Sequence, residues 1–414
     1  LIRKAFLTTS TVIFFCAAAA VSGFGETGTL PGDIVAKGIQ FGRKKKFEDA
    51  RAKFDSSLAN WQTHANARLY LQILDDVEHG VIKANAAVNI FKAVQNDFKA
   101  SYKKAVKGLN KVARKNPGYY PAVLLTALSL HNMDKPDEAM ATFDQAVGMA
   151  NDSSLAFLMR GRFNSQLRET DKSLADFKKV VANSRYAAIG HFERGFFYCA
   201  DQKYDKAIPD FEQAVKVYPD WGKSSVVLEA YHNRGVFRMQ SQKFRLALAD
   251  FNKAIEIDPK YVNSYFNKGL ALRKLKKYSE AIKQFSICLE KKPDYPEAYY
   301  QRAATFKKRK MLDKAIADLQ KALALRADNH QYRFELAERL YEKGRYKEAI
   351  ADFAAVLIKA PNNYWAHYWT GYSYKYLGQK KAALASFRKF LALAPKQHRS
   401  QRVYAETEIR GLQK

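Results

Sequence analysis

One spacing constrains this chain more than any other feature. Small residues stand 34 apart at Gly235, Gly269, Ala303, Ala337 and Gly371. Twelve residues after each comes an alanine (Ala247, Ala281, Ala315, Ala349, Ala383), and four further on a bulky apolar residue (Phe251, Phe285, Leu319, Phe353, Phe387). Proline closes four of the five units, at Pro259, Pro293, Pro361 and Pro395. A fixed period of this length marks a repeat array, in which each unit buries its apolar face only by stacking on a neighbour.

Inside a unit, apolar and small residues recur at three- and four-residue steps in two runs, which predicts two helices. In the unit of Gly269 these run over about 265–275 and 279–290. The small residue lets the first helix approach closely, and the alanine of the second is expected to sit opposite it. A larger side chain at either place would overpack the contact, at about 1–3 kcal/mol. The phenylalanine fills the space towards the next unit, and proline, unable to continue a helix, fixes the turn. Tyr231, Gly235, Ala247, Phe251, Ala254 and Pro259 occupy the signature positions of the tetratricopeptide repeat (TPR), and the chain resembles that family. The family's usual tryptophan at the first signature position is tyrosine or another residue here. The resemblance implies an all-α TPR solenoid, a right-handed superhelix of antiparallel helix pairs.

The same spacing extends towards the N-terminus through Gly38, Ala50 and Phe54. It is lost over 63–92, where HANARLYLQILDDVEH keeps a helical pattern and reads as a degenerate helical pair. It resumes at Ala93, Ala105 and Leu109 and runs through Gly161, Ser173 and Phe177 to Gly195, Ala207 and Phe211. From Gly195 to Gly235 the step is 40, the surplus lying around Trp221. Residues 26–395 are thus expected to form about ten to eleven TPR-like repeats. In 396–414, Ala405, Ile409 and Leu412 at i, i+4 and i+7 predict a capping helix, which a solenoid needs over its last apolar face.

Residues 1–25 read as an export signal: Arg3 and Lys4, an apolar run from Val12 to Val21, then small residues suited to cleavage near 22–25. The uncharged stretch from Ala5 to Phe24 is also long enough for an uncleaved anchor, although four hydroxyl residues (Thr8, Thr9, Ser10, Thr11) make it half-polar. Either reading places the repeats across a membrane, in a bacterial periplasm or cell envelope.

The chain carries 70 Lys and Arg against 41 Asp and Glu, a formal charge of +29, which favours acidic partners or simple solubility. Basic residues gather at the turns inside units, as in Arg43 to Lys46, Arg273, Lys274, Lys276, Lys277, Lys307, Lys308, Arg309, Lys310, Lys380 and Lys381, and are expected to line one edge. A second group is Lys99, Lys103, Lys104, Lys107, Lys111, Arg114 and Lys115. An anionic envelope polymer or membrane surface would suit them, ordinary turn solvation equally so; nucleic acid contradicts the export signal. The three cysteines form no metal pair or disulfide framework. Eight scattered histidines include no HExxH, and no phosphate-cradling loop or nucleophile motif occurs. Asp75, Asp76, Glu78 and His79 form the one dense acidic cluster with a histidine, read as a solvated helix end. The expectation is a protein that is not an enzyme and needs no cofactor or metal.

The resemblance implies a scaffold that binds a protein or peptide segment in the concave groove lined by first helices. The carboxylate clamp known from some family members does not carry over: Asn233 and Asn267 match its asparagine position, but His232 and Phe266 stand where lysine is required. The groove column, three residues before each small position, reads Phe192, His232, Phe266, Tyr300, Phe334 and Tyr368, with Trp365, Tyr372 and Tyr376 sharing the face of Tyr368. Tyrosine is the family's usual residue in that column, which accounts for much of it without a ligand. The additional Trp365–Tyr376 cluster is either a partner site or covered by the cap. Aromatic and basic surfaces also suit sugars, so the alternative is a periplasmic component of a polysaccharide secretion or assembly machinery binding glycan.

Overall fold

The computed structural model describes residues 31–60, 65–149, 154–182 and 186–413; the expected export segment lies outside them. The described residues form α-helices joined by short turns, with a single 3-10 turn at Pro219–Lys223 and no strand. The chain divides into two compact units, with the boundary after Ala230.

The first unit opens with the pair α1 (Pro31–Arg43) and α2 (Phe47–Asn60), followed by a lone helix α3 (Ala65–Glu78). Four pairs come next: α4 (Ala84–Phe98) with α5 (Tyr102–Lys115), α6 (Tyr120–Asn132) with α7 (Pro136–Met149), α8 (Ser154–Gln166) with α9 (Thr170–Val181), and α10 (Ala187–Ala200) with α11 (Tyr204–Val217). Helix α12 (Ser225–Gln240) spans the boundary and pairs with α13 (Phe244–Ile257). The second unit continues with α14 (Val262–Lys274) and α15 (Tyr278–Lys291), α16 (Pro296–Lys308) and α17 (Leu312–Leu325), α18 (His330–Glu342) and α19 (Tyr346–Lys359), and α20 (Tyr364–Tyr376) with α21 (Lys380–Leu393). A last helix, α22 (Arg399–Gln413), packs on α21 and buries Ala405, with Ile409 and Leu412 against the same core.

Each pair is held as the repeat spacing requires, with one difference in detail. The second-helix alanines are buried, and the atoms nearest a first-helix glycine are those of the phenylalanine sixteen residues on. A Cβ placed on Gly269 would lie 2.7 Å from the Phe285 ring, and one on Gly235 2.6 Å from Phe251. The glycine therefore accommodates the phenylalanine sixteen residues on as well as the residue at twelve, which approaches it at Gly195 (Ala207 carbonyl oxygen) and Gly161 (a hydrogen bond from Ser173). Every turn inside a pair closes through one residue with a left-handed backbone, seven after the small position: Lys45, Ala100, Asp134, Arg168, Gln202, Gln242, Lys276, Lys310, Gly344 and Gly378. This is the usual way to end a helix and satisfy its last carbonyls.

A recurring ion pair staples first helix to second. Arg160, Arg194, Arg234 and Arg302 each grip an aspartate sixteen residues later, Asp176, Asp210, Asp250 and Asp318, at 2.6–2.8 Å. All four aspartates are buried. The arginine immediately precedes the small residue and the aspartate immediately precedes the bulky one, so the pair recurs with the repeat. In α14 and α15 the two positions hold Lys268 and Gln284, both partners replaced together.

Residues 63–92, expected to form a degenerate pair, hold instead the single helix α3 and the first half of α4. Helix α4 packs directly on α1, which leaves α3 outside the pair sequence.

Candidate functional site

The aromatic column starts from first-helix residues, and packing takes up much of it. Phe192 is buried against Phe211 and Trp221, ring centroids 5.2 and 4.8 Å away. His232 is buried between Phe251 and Tyr261. Asn267 Nδ2 approaches its Nε2 at 3.4 Å, so Nδ1 carries the proton and donates to Ser264 Oγ at 3.0 Å. Burial lowers the His232 pKa to about 4, which keeps the ring neutral. Tyr368 is buried against Phe390 and Phe387. These three were expected to line a groove and are core residues instead. Each completes the contact between its own second-helix phenylalanine and a neighbouring ring.

Phe266, Tyr300 and Phe334 are only partly covered. Phe266 stacks on Tyr295 and Tyr300 on Tyr332, centroids 5.0 and 4.8 Å apart, while Phe334 meets Phe353 edge-on. Trp365 lies against Phe390 and His398, the approach to the cap, so it belongs to cap packing. Tyr372 sits edge-on to Phe387. Tyr376 is 56% exposed and stacks flat on Tyr346 at 4.9 Å, with Tyr341 beyond. It is the outermost ring of the set.

The first unit treats the corresponding surface differently. Helix α3 buries Ala67, Leu69, Tyr70, Ile73 and Leu74, and although Arg68, Gln72 and Asp75 line one face, no residue from 66 to 77 is fully exposed. It packs against α2, α4 and α8. Ahead of α6, the Tyr119 hydroxyl donates to Asp76 at 2.8 Å in the interior, and burial beside that carboxylate pushes the phenol pKa up. Arg51 of α2 grips Asp75 at 2.8 Å and Glu78 at 3.1 Å. His79 Nδ1 donates to the Asp75 carbonyl oxygen at 2.8 Å. The acidic cluster is therefore spent on anchoring α3. Among the described residues no group of three His, Cys, Asp or Glu is placed to hold a metal ion.

Of the basic edge, Lys274, Lys276, Lys277, Lys308, Arg309 and Lys310 are exposed, Lys307 is partly covered, and Lys276 and Lys310 are the left-handed turn residues. Lys277 pairs with Glu280, Lys307 faces Glu342 at 3.6 Å, and Arg309 bonds Ser279. Arg273 differs, because its side chain is partly buried, which lowers its pKa. In the other basic group, Lys103, Lys107, Lys111 and Arg114 follow one another along an exposed face of α5, a helix without an acidic residue. Sequence reasoning missed the Arg–Asp staples, although the repeated Arg-small and Asp-bulky dipeptides carried that signal.

Tetratricopeptide repeat models match residues 188–221, 228–261, 251–283, 269–310, 304–364 and 365–396. No curated protein matches. Similar solved structures include YrrB, described as a TPR protein with an unusual peptide-binding site, at 23% identity over 48% of this chain and 97% of that one, TM-score 0.42. MamA protein aligns at 21% identity over 42% and 94%, TM-score 0.39, and yeast Tom70 at 17% over 92% and 95%, TM-score 0.36. The helix pairs, their period and the family matches agree: this chain is a tetratricopeptide repeat protein, a scaffold for protein–protein interaction.

Proposed function

We propose that this protein is a non-catalytic, exported scaffold that holds a segment of another protein along the first-helix groove of its second unit. One contrast carries the reading. In the first unit, the inserted helix α3 packs on the first helices α4 and α8. Among the described residues the second unit has no inserted helix, and Phe266, Tyr300, Phe334, Tyr372 and Tyr376 are not fully buried. Partly exposed aromatics in series favour partner binding, since such rings dominate interface energetics. The basic start, apolar run and small residues of 1–25 support export to the periplasm or cell envelope.

A photo-crosslinking residue at Phe334, compared with one at Ile358, tests the groove in the producing cell; Ile358 is 77% exposed on the second helix α19. The expected result is a protease-sensitive adduct at 334 and none at 358. Equal adducts at both positions would remove the groove from the account, and a glycosidase-sensitive adduct would replace it with the polysaccharide role. Cell fractionation with N-terminal sequencing tests export, which an intact N-terminus on a cytosolic product would exclude.

A further inference from the structure

Between Asp97 and Asp134 the chain carries seven Lys and Arg and no acidic residue. Six of these cations lie on α5, and they are all of its exposed residues: Lys103, Lys104, Lys107, Lys111, Arg114 and Lys115. Ala105, Leu109 and Val112 are buried on the opposite side of the helix. Among the described residues none of the six makes an ion pair. Lysines elsewhere meet a glutamate three residues on, as in Lys135–Glu138, Lys253–Glu256 and Lys277–Glu280.

The start of α5 also runs against helix electrostatics. The free N–H groups of a first turn favour acids and disfavour cations. The two residues before the buried second-helix alanine are Glu48 and Asp49 in α2, and Asp137 and Glu138 in α7. In α5, the second helix between them in the pair order, the same two places hold Lys103 and Lys104. Lys103, Lys107 and Lys111 then follow at four-residue steps, where like charges repel. Stability gives no reason for this arrangement.

We propose that the outer face of α5 docks an acidic helix of another protein. The cations extend over about 17 Å, in rows whose members are about 6 Å apart along the axis. Carboxylates at every fourth residue of a helix repeat at the same spacing, so a helix laid along α5 keeps register over the whole length. A polysaccharide carries its acids at the repeat of its own monomers, which has no relation to this pitch. A flat anionic surface would meet the exposed acids of α2 and α7 in the flanking pairs and be repelled by them. The same acids confine a narrow anionic partner to α5. The formal charge of +29 opposes association with a second copy of the chain. Phe98, 48% exposed at the end of α4, borders the turn into α5 and offers an apolar contact to the partner. This face belongs to the first unit and to a second helix, so the inference stands apart from the groove of the second unit.

The test uses the full chain and two peptides of about twenty residues, each held helical by a hydrocarbon staple. Both contain the same glutamates, set along one face at four-residue steps in the first and distributed round the helix in the second. Fluorescence anisotropy should show the striped peptide binding at least about tenfold more tightly, with affinity falling as salt rises from about 0.05 to 0.2 M. Lys103→Glu with Lys107→Glu and Lys111→Glu should weaken that binding at least about tenfold. Lys321→Glu with Lys347→Glu and Lys389→Glu makes the same charge change at exposed second-helix positions of the second unit and should weaken it less than about threefold. Lys103→Glu alone should raise the thermal midpoint, because an acid suits the first turn. A lower midpoint would make Lys103 a structural residue and overturn the assignment. Equal binding of the two peptides, equal losses in the two triple variants, or no binding at the lowest salt would reduce the face to an ordinary solvated surface and overturn it as well. Tighter binding of polygalacturonate or of phosphatidylglycerol vesicles than of the striped peptide would overturn the protein source. Self-association in sedimentation velocity, abolished by the α5 triple variant, would make the occupant a second copy and overturn the foreign partner.

Discussion

A glycine and a phenylalanine sixteen residues apart decide how close the two helices of a pair come. With the Phe285 ring 2.7 Å from where a Cβ would sit, Gly269→Val should overpack the contact and cost about 1–3 kcal/mol. Ala281→Leu, at a site with no exposed surface, should cost a similar ~1–3 kcal/mol, and Lys277→Ala on the outside no more than about 0.5 kcal/mol. Urea denaturation of the three variants checks the ranking; equal midpoints would contradict the register. Alanine at Ala127 and Ala337, sixteen residues before Phe143 and Phe353, shows that a single methyl can be tolerated there. His232 makes a second prediction at this scale. Its folded pKa of about 4 lies below the ordinary 6.5, so the unfolded chain takes up the proton first. Stability present above about pH 6.5 should fall as pH drops towards 4, by about 3 kcal/mol at most from this residue. His131 and His367, also lowered by burial, act in the same sense. Denaturation curves across this range should be flatter for His232→Phe than for the parent. The identity of the spacing was legible at residue level, but that the glycine also makes room for the phenylalanine was not. Sequence distance along two helices gives a shared face without saying which side chain reaches across it.

Among elements, the Arg–Asp staple has the clearest energetics. Asp250 is 2% exposed and held by both Arg234 and Arg238. Arg234→Met should leave that carboxylate short of charge compensation and cost about 3 kcal/mol, while adding Asp250→Leu should recover much of the loss. A double-mutant cycle measures the difference, and simple additivity would refute the coupling. The chain already contains such a double replacement, Lys268 with Gln284. The turns give another expectation. Lys276 adopts φ 60°, a conformation that hinders any side chain with a Cβ, whereas Gly344 and Gly378 occupy the same turn position without that penalty. Lys276→Gly should raise stability by about 0.5–1 kcal/mol in thermal unfolding, and a lower midpoint would show that the lysine has a packing role. Helix pairs, their order and the capping helix could all be read from the period. The aromatic column misled for Phe192, His232 and Tyr368, because an aromatic on a groove position is also within reach of its own pair's second-helix phenylalanine and of a ring beside it. Helix α3 was legible as a helix, but nothing in HANARLYLQILDDVEH states that it leaves the pair sequence; only its packing against α2, α4 and α8 does.

For the whole molecule, the surplus of 29 positive charges is spread unevenly. Helix α5 presents lysines without acidic neighbours, while Arg339 gathers three glutamates to itself. Net charge therefore says little about any one surface. The most far-reaching feature is α3. In a regular array each pair touches only its neighbours, so repeats can detach one at a time from an end. Helix α3 instead joins four successive pairs, through α2, α4, Tyr119 ahead of α6, and α8. Those pairs have to unfold together, which ties the fate of residues near position 40 to residues near 160. Amide hydrogen exchange should accordingly show one common protection level from α1 to α9, against a gradient decaying towards α22 in the second unit. Ile73→Ala, costing about 2–5 kcal/mol, should turn the uniform profile into a graded one. An inserted helix of fourteen residues would then have changed the first unit from a chain of semi-independent links into a single cooperative block.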